Sequence, residues 1–165
     1  MTALYTGQIN FYGTRLLHCT DVRLLGTIAR DQIPPLKHER RPFALVINTD
    51  EATGPGEQWL AFYAPRGSTK IEMFDLFGLP PNFYSLDQSH IYFSTSSIQT
   101  LNTKVCGQYA QLFFYLGLRG YSFKNTIINL EKNFSDASAA RKMLDLSLSK
   151  LSHIHCTGQS WKSKS

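Results

Sequence analysis

The most distinct hydrophobic pattern in the chain is the continuous apolar run at Phe43–Asn48, which is rich in β-branched residues. Such a run, bounded by polar residues, is typical of a strand that is buried on both faces. Two further strand-like segments, Gln58–Ala64 and Thr69–Phe74, are separated by the turn residues Pro65–Ser68. They predict a β-hairpin. The short run Ile91–Phe93 predicts one more strand.

Three other segments have apolar residues at helical spacing. The pattern over Thr20–Ile28 predicts a short helix. A second, strongly apolar helix is predicted to begin with Thr103 as its N-cap and to end at Gly117 or Gly120. Its composition indicates a central position in the fold. A third helix is predicted to begin at Ser135.

Length and composition favour one globular domain. The chain has 165 residues, of which 42% are hydrophobic, which suffices for a single packed core. We expect that core over about residues 20–152 and a disordered tail at 158–165. The sequence contains no apolar run that could span a membrane and no signal-peptide pattern, so we expect an intracellular, non-secretory protein without a membrane partner.

The charge and the metal-ligating residue types give weaker indications. A net charge of +5 is compatible with DNA binding, but the basic residues are scattered, so a solvated basic surface is the simpler interpretation. The three cysteines, Cys19, Cys106 and Cys156, are too few for a disulfide framework. The pairs of His and Cys near both ends do not match a common zinc spacing, and we expect no metal site.

The hairpin predicts a polar pair at its open end. A turn centred on Arg66–Gly67 would place Gln58 opposite Asp75 and Trp59 opposite Phe74. Directly opposed Cβ atoms are about 4.5 to 5.5 Å apart, which allows an amide to hydrogen-bond to a carboxylate. The other residues predicted on this face are apolar: Leu60, Phe62, Ile71 and Met73. A strand-end hydrogen bond without further function remains the alternative interpretation.

Cys106 is the second candidate for chemistry. With Thr103 as the cap, it lies in the first turn of the predicted central helix, where free N–H groups and the helix dipole favour a thiolate. Gly107 would leave its approach open. The alternative is that Cys106 is only a small buried apolar residue.

Five motifs, in the same order along the chain, resemble the adenovirus endopeptidase family, adenain, and the related proteases of Polinton or Maverick elements. The resemblance covers roughly residues 24 to 120. The motifs are Leu24–Thr27, Val46–Thr49, Gly56–Phe62, Phe74–Gly78 and Gln99–Tyr109. The resemblance implies an α+β, papain-like cysteine peptidase fold of the permuted adenain type. In that fold a mixed sheet packs on a central helix that bears Cys106.

The resemblance also implies roles for individual residues. Cys106 would be the nucleophile, Asp75 the acid that orients the base, and Gln99 an oxyanion-hole donor together with the backbone N–H of Cys106. Asp75 follows Gln58 by 17 residues and Cys106 follows Gln99 by 7, which are spacings that the family uses. Position 58 is the position of the general-base histidine, and here it holds glutamine.

A glutamine cannot perform the proton transfer that this position requires. A carboxamide has no usable pKa, although it can still donate a hydrogen bond to Asp75. The sequence therefore predicts a viral or transposon-derived cysteine endopeptidase with weak or no activity. The alternative is an inactive pseudo-peptidase that binds peptide or nucleic acid. The other histidines of the chain lie outside the matched motifs: His18, His38, His90, His153 and His155.

The family resemblance further implies the class of partners. The substrates would be precursor or capsid-type polypeptides, and the chemistry would need no cofactor or metal. DNA and a short peptide are activators in the family, and the resemblance implies that the protein itself is located in the host nucleus or the virion.

Overall fold

The computed structural model describes residues 6–18, 20–53, 58–87, 89–98 and 105–133, together with Arg141 and Asp145. Over these residues the fold is α+β, with a five-stranded mixed sheet and three helices. The helices are α1 (Thr6–Leu17), α2 (Cys106–Leu118) and α3 (Phe123–Asn133). The strands are β1 (Arg23–Ala29), β2 (Phe43–Asn48), β3 (Trp59–Ala64), β4 (Ile71–Phe74) and β5 (Ile91–Phe93).

The strands lie in the order β1-β2-β3-β4-β5. The two outer pairs, β1 with β2 and β4 with β5, are parallel, whereas the inner pairs are antiparallel. Parallel neighbours need a crossover connection, and here the crossovers contain short 3-10 helices at Arg30–Gln32, Leu36–His38 and Pro81–Tyr84. The predicted strands at Phe43–Asn48 and Ile91–Phe93 are confirmed with their boundaries.

Each face of the sheet is covered by a separate apolar cluster. The helices pack on one face, where the cluster includes Ala44 and Val46 of β2. Residues Phe43, Leu45 and Ile47 of the same strand belong to the cluster on the other face. β2 is therefore buried on both faces, as its continuous apolar run predicts.

Helix α2 is central, as predicted. Tyr109 and Ala110 are fully buried, and the Phe113 ring stacks on Phe74 of β4 with the ring centroids 5.4 Å apart. The helix ends at Leu118, and Gly120 follows in the left-handed region at φ 87°. Gly120 is thus the terminating glycine, in keeping with the low cost of that conformation for a residue without Cβ.

The predicted helix over Thr20–Ile28 is wrong, because Arg23–Ala29 forms strand β1. The apolar spacing that suggested a helix arises from a bulge, since the β1–β2 register shifts between Leu24 and Thr27 around Gly26 at φ 110°. Leu24 packs with the helix-side cluster and Leu25 with the opposite one. In a strand with a bulge, these apolar residues pack on the two faces of the sheet while the backbone pairs with β2.

The sequence patterns do not predict α1 or α3. Both are amphipathic helices with few core residues; in α1 these include Ile9 and Leu16, and in α3 Ile127 and Leu130. The predicted cap Thr103 is wrong, because α2 begins at Cys106 with Val105 at the N-cap position. Of the helix predicted from Ser135, the described residues Arg141 and Asp145 are helical, and the predicted tail lies outside the described residues. Within the described part of the chain, no helix combines the length and apolarity that crossing a membrane requires.

The hairpin is confirmed, but its predicted register is wrong by two residues. Phe74 pairs with Ala61, not with Trp59. The connection is longer than expected because Lys70 donates its backbone N–H to Ser68 Oγ at 3.1 Å. That N–H is engaged within the loop, and the ladder begins only at Ile71.

The faces of the hairpin are nevertheless as predicted. Side chains alternate with a period of two, so a shift of two residues leaves every side chain on its face. Trp59 and Phe74 pack with the helix-side cluster, and Leu60 and Met73 belong to the opposite one. Only a shift by an odd number of residues would have reversed this assignment.

Candidate active site

Asp75 lies directly after β4 and is the centre of a buried hydrogen-bond network. Asp75 is 4% exposed, and its carboxylate accepts four hydrogen bonds. Oδ1 accepts from the backbone N–H of Phe77 at 3.1 Å and from Nε2 of Gln58. Oδ2 accepts from the backbone N–H of Leu79 at 2.9 Å and from the Tyr84 hydroxyl at 2.8 Å. These donors compensate the loss of water around the carboxylate.

The loop after Asp75 supplies two of these donors because it folds tightly around the carboxylate. Gly78, at φ 67°, donates its N–H to the Asp75 carbonyl at 3.1 Å. A Cβ at Gly78 would lie 2.6 Å from the Thr95 carbonyl oxygen and 2.7 Å from that of Ser96. Only glycine fits this position, since both the backbone conformation and the neighbouring chain exclude a side chain.

The orientation of the Gln58 amide follows from its neighbours. Its Nε2 faces Asp75 Oδ1, and its Oε1 is 3.3 Å from the Tyr84 hydroxyl oxygen. The reverse orientation would place the amide oxygen against the carboxylate oxygen, where neither atom carries a proton. The backbone carbonyl of Gln58 accepts from Thr49 N–H at 3.0 Å, which anchors this residue to the chain after β2.

Tyr84 is a member of the site that the sequence patterns do not predict. It ends the 3-10 helix Pro81–Tyr84 and is followed by Ser85 in the left-handed region at φ 62°. Burial and the adjacent Asp75 charge raise the pKa of its hydroxyl, so it acts as a neutral donor to Asp75. A turn residue has no periodic signature. The sequence features that could have indicated its role are its proximity to Asp75 and the preceding turn residues Pro80 and Pro81.

Cys106 lies in the first turn of α2, as predicted, where it is the first residue of the helix, and it is 5% exposed. Burial raises the pKa of its thiol, while the backbone N–H groups of Trp59, Gly107 and Cys106 itself lower it. The nearby Asp75 charge raises it further. The predicted preference for a thiolate is therefore outweighed by desolvation, and near neutral pH the group is predominantly a thiol.

The structure brings Gln58, Asp75 and Cys106 to one region at the start of β3, the end of β4 and the start of α2. Gln58 and Asp75 are hydrogen-bonded. Cys106 interacts with the backbone N–H of Trp59, the residue that follows Gln58, and with the Asp75 charge. Gln99 lies outside the described residues, so its predicted role stays a prediction.

The described histidines are not part of this hydrogen-bond network. Neither His18 nor His38 nor His90 forms a hydrogen bond to Gln58 or Asp75. His38 and His90 line a cavity on the sheet face that the helices leave open. The described residues contain no cluster of His, Cys, Asp and Glu that could hold a metal ion. His153, His155, Cys19 and Cys156 lie outside the residues with described positions.

Comparison of the sequence with protein-family models gives no match, and a search of curated proteins finds no significant relative.

Proposed function

We propose that the chain has the permuted papain-like fold of an adenain-type cysteine endopeptidase and that its proton-transfer function is impaired at Gln58. In this proposal, Cys106 is the nucleophile, Asp75 holds the residue at position 58, and polypeptides are the substrates. The observation that carries it is the hydrogen bond from the Gln58 amide to Asp75 beside Cys106. An imidazole at position 58 could make the same contact and would in addition accept the thiol proton.

The local surroundings of Cys106 support the same proposal. Three backbone N–H groups interact with its sulfur, and such groups stabilise the thiolate that attacks a carbonyl. An acid–base residue is what the site lacks. Its absence costs about 10²- to 10⁴-fold in rate. We therefore expect slow turnover, not complete inertness.

The test is the variant Gln58→His, assayed with peptide substrates of the proposed family. Turnover should increase by at least about a hundredfold, which is the lower end of an acid–base contribution. Gln58→Asn is the matched control, because it alters the same position without adding a proton acceptor. Cys106→Ala, introduced beside Gln58→His, should abolish the gain. A Gln58→His protein that is no faster than its parent would remove the lost base as the explanation.

A peptide-binding pseudo-peptidase is the second candidate. It is favoured by the raised pKa of Cys106, because a buried neutral thiol is a poor nucleophile. In that case the parent protein binds a peptide without cleaving it, and alkylation of Cys106 with a bulky reagent prevents binding. The absence of measurable peptide affinity would eliminate this candidate.

The described surface gives little support to nucleic-acid binding as the main function. Three of its arginines are in ion pairs: Arg23 with Glu39, Arg30 with Glu51 and Arg66 with Asp21. Paired arginines contribute less to a positive field than unpaired ones. These three pairs reduce the positive field at their own positions, and they agree with the interpretation as a solvated basic surface.

A further inference from the structure

A cavity of about 410 Å³ lies on the sheet face opposite the helices. Ile47, Phe62 and Ile71 of the sheet contribute to its lining. Its walls come from the 3-10 segment Leu36–His38 and from the residues around the start of β5. The volume is within the range of small-molecule sites. None of the candidate active-site residues lines it, so it is a separate feature of the molecule.

The lining of this cavity is predominantly aliphatic. Ile33, Leu36, Leu86 and Ile91 are only partly buried and pack against the same apolar cluster as the sheet residues. An apolar group that entered the cavity would cover this surface and be removed from water itself. Removal of both apolar surfaces from water favours binding.

The polar residues of the cavity carry an excess of basic groups. Lys37, His38 and His90 are lining residues, and Asp87 is the one acidic residue among the described ones. Both Asp87 carboxylate oxygens are engaged with Ser89, one with its N–H and one with its hydroxyl, each at 3.0 Å. Lys37 forms no ion pair within 4 Å with any described residue, although its charge and that of His90 act on the Asp87 carboxylate. An anion at this rim would therefore compete with Asp87, the one acidic residue of the described lining, for these basic groups.

We propose that the cavity binds a small amphipathic anion of the alkyl carboxylate class. The alkyl chain lies against the aliphatic walls, and the carboxylate lies at the rim with Lys37, His38 and His90. The aliphatic walls alone would not attract a charged ligand, and the basic rim alone would not bind an alkyl chain. The combination of the two selects a ligand with both.

The first experiment measures octanoate binding to the full-length chain by titration calorimetry. Octanol tests the alkyl part alone, acetate tests the anionic part alone, and octyltrimethylammonium reverses the head-group charge. Octanoate should bind at least about tenfold more tightly than each of the other three. Equal affinity for octanol, tighter binding of the cationic amphiphile, or no binding of octanoate would each overturn the proposal. A short acidic peptide that binds more tightly than octanoate would do so too, by identifying a peptide site.

The second experiment uses charge variants of exposed residues, which keeps the apolar core intact. Lys37→Glu should weaken octanoate binding by at least about tenfold, and Asp87→Asn should strengthen it because a nearby negative charge is removed. Lys124→Glu is the control, since it makes the same charge change at an exposed position of α3, a helix of the opposite sheet face. Equal effects of Lys37→Glu and Lys124→Glu would mean that the variants act through the overall charge of the protein, and this would contradict the site.

Discussion

Gln58 donates its side-chain amide hydrogen to Asp75 across the hairpin, although the two residues are not directly opposed in the ladder. In the observed register Asp75 follows Phe74, which pairs with Ala61, so Gln58 is displaced by two residues from the opposite position. Such diagonal neighbours on one face are still within reach of a long side chain. The predicted contact is therefore present although the predicted register was wrong, because the Gln58 side chain is long enough to reach the diagonal position. Two short side chains would not have met at that separation.

The Tyr84 hydroxyl should stabilise the fold through Asp75. Tyr84→Phe removes a donor 2.8 Å from a buried carboxylate and should lower the free energy of unfolding by about 2 kcal/mol. Urea denaturation measures this value. Tyr92→Phe is the control, because Tyr92 is 52% exposed and its hydroxyl loss should change stability by less than about 0.5 kcal/mol. Equal losses of unfolding free energy in the two variants would mean that the hydrogen bond from Tyr84 to Asp75 does not stabilise the fold.

Alanine variants of Gly78 and Gly67 distinguish the cost of backbone strain from the cost of a steric clash. Both have positive φ, but a Cβ at Gly67 would meet no atom within 4 Å, whereas one at Gly78 would meet the backbone of Thr95 and Ser96. Gly67→Ala should cost about 1 kcal/mol, from the left-handed conformation alone. Gly78→Ala should cost clearly more and should disrupt the loop that donates to Asp75. Thermal unfolding of both variants measures the difference, and similar melting temperatures would contradict the steric argument.

Glu72 should make stability depend on pH. It lies in β4, where it pairs with Tyr63 on one side and Tyr92 on the other, and burial raises its pKa from 4.5 to about 7. Since the folded state holds the proton more tightly than the unfolded state, this group's contribution to stability is complete below pH 4.5 and is lost as the pH rises to about 7.

The variant Glu72→Gln removes this titration. It should raise the free energy of unfolding by on the order of 2 kcal/mol at pH 8 and change it little near pH 4. Glu131→Gln makes the same chemical change on α3 and should leave the pH dependence of stability as it is in the parent. A constant difference between Glu72→Gln and the parent across this pH range would refute the assignment.

The elements that could be predicted from sequence are those whose signal is local. Strand β2 is recognisable because both of its faces are buried, and the faces of the hairpin follow from the period of two. The hairpin register was not predictable, since it depends on the Ser68 side chain that engages the Lys70 N–H. Strand β1 is concealed by the bulge at Gly26, which gives a strand the apolar spacing of a helix.

The same distinction applies to the site. Gln58, Asp75 and Cys106 stand out because strand ends and helix starts are positions where a polar or reactive residue has a defined place. Tyr84 does not stand out, because its role depends on a turn that returns the chain to Asp75. The raised pKa of Cys106 was also not predictable, since it depends on how deeply the packed helices bury the sulfur.

The most direct test of the central claim is the pH dependence of Cys106 alkylation in the parent and in Gln58→His. Peptide mass spectrometry after iodoacetamide treatment assigns the modification to Cys106 and not to the other two cysteines. We predict that the parent reacts appreciably only at alkaline pH, because its pKa is raised. Gln58→His should react at least about tenfold faster at pH 7, since an imidazolium held by Asp75 stabilises the thiolate. Identical pH profiles for the two proteins would contradict the account.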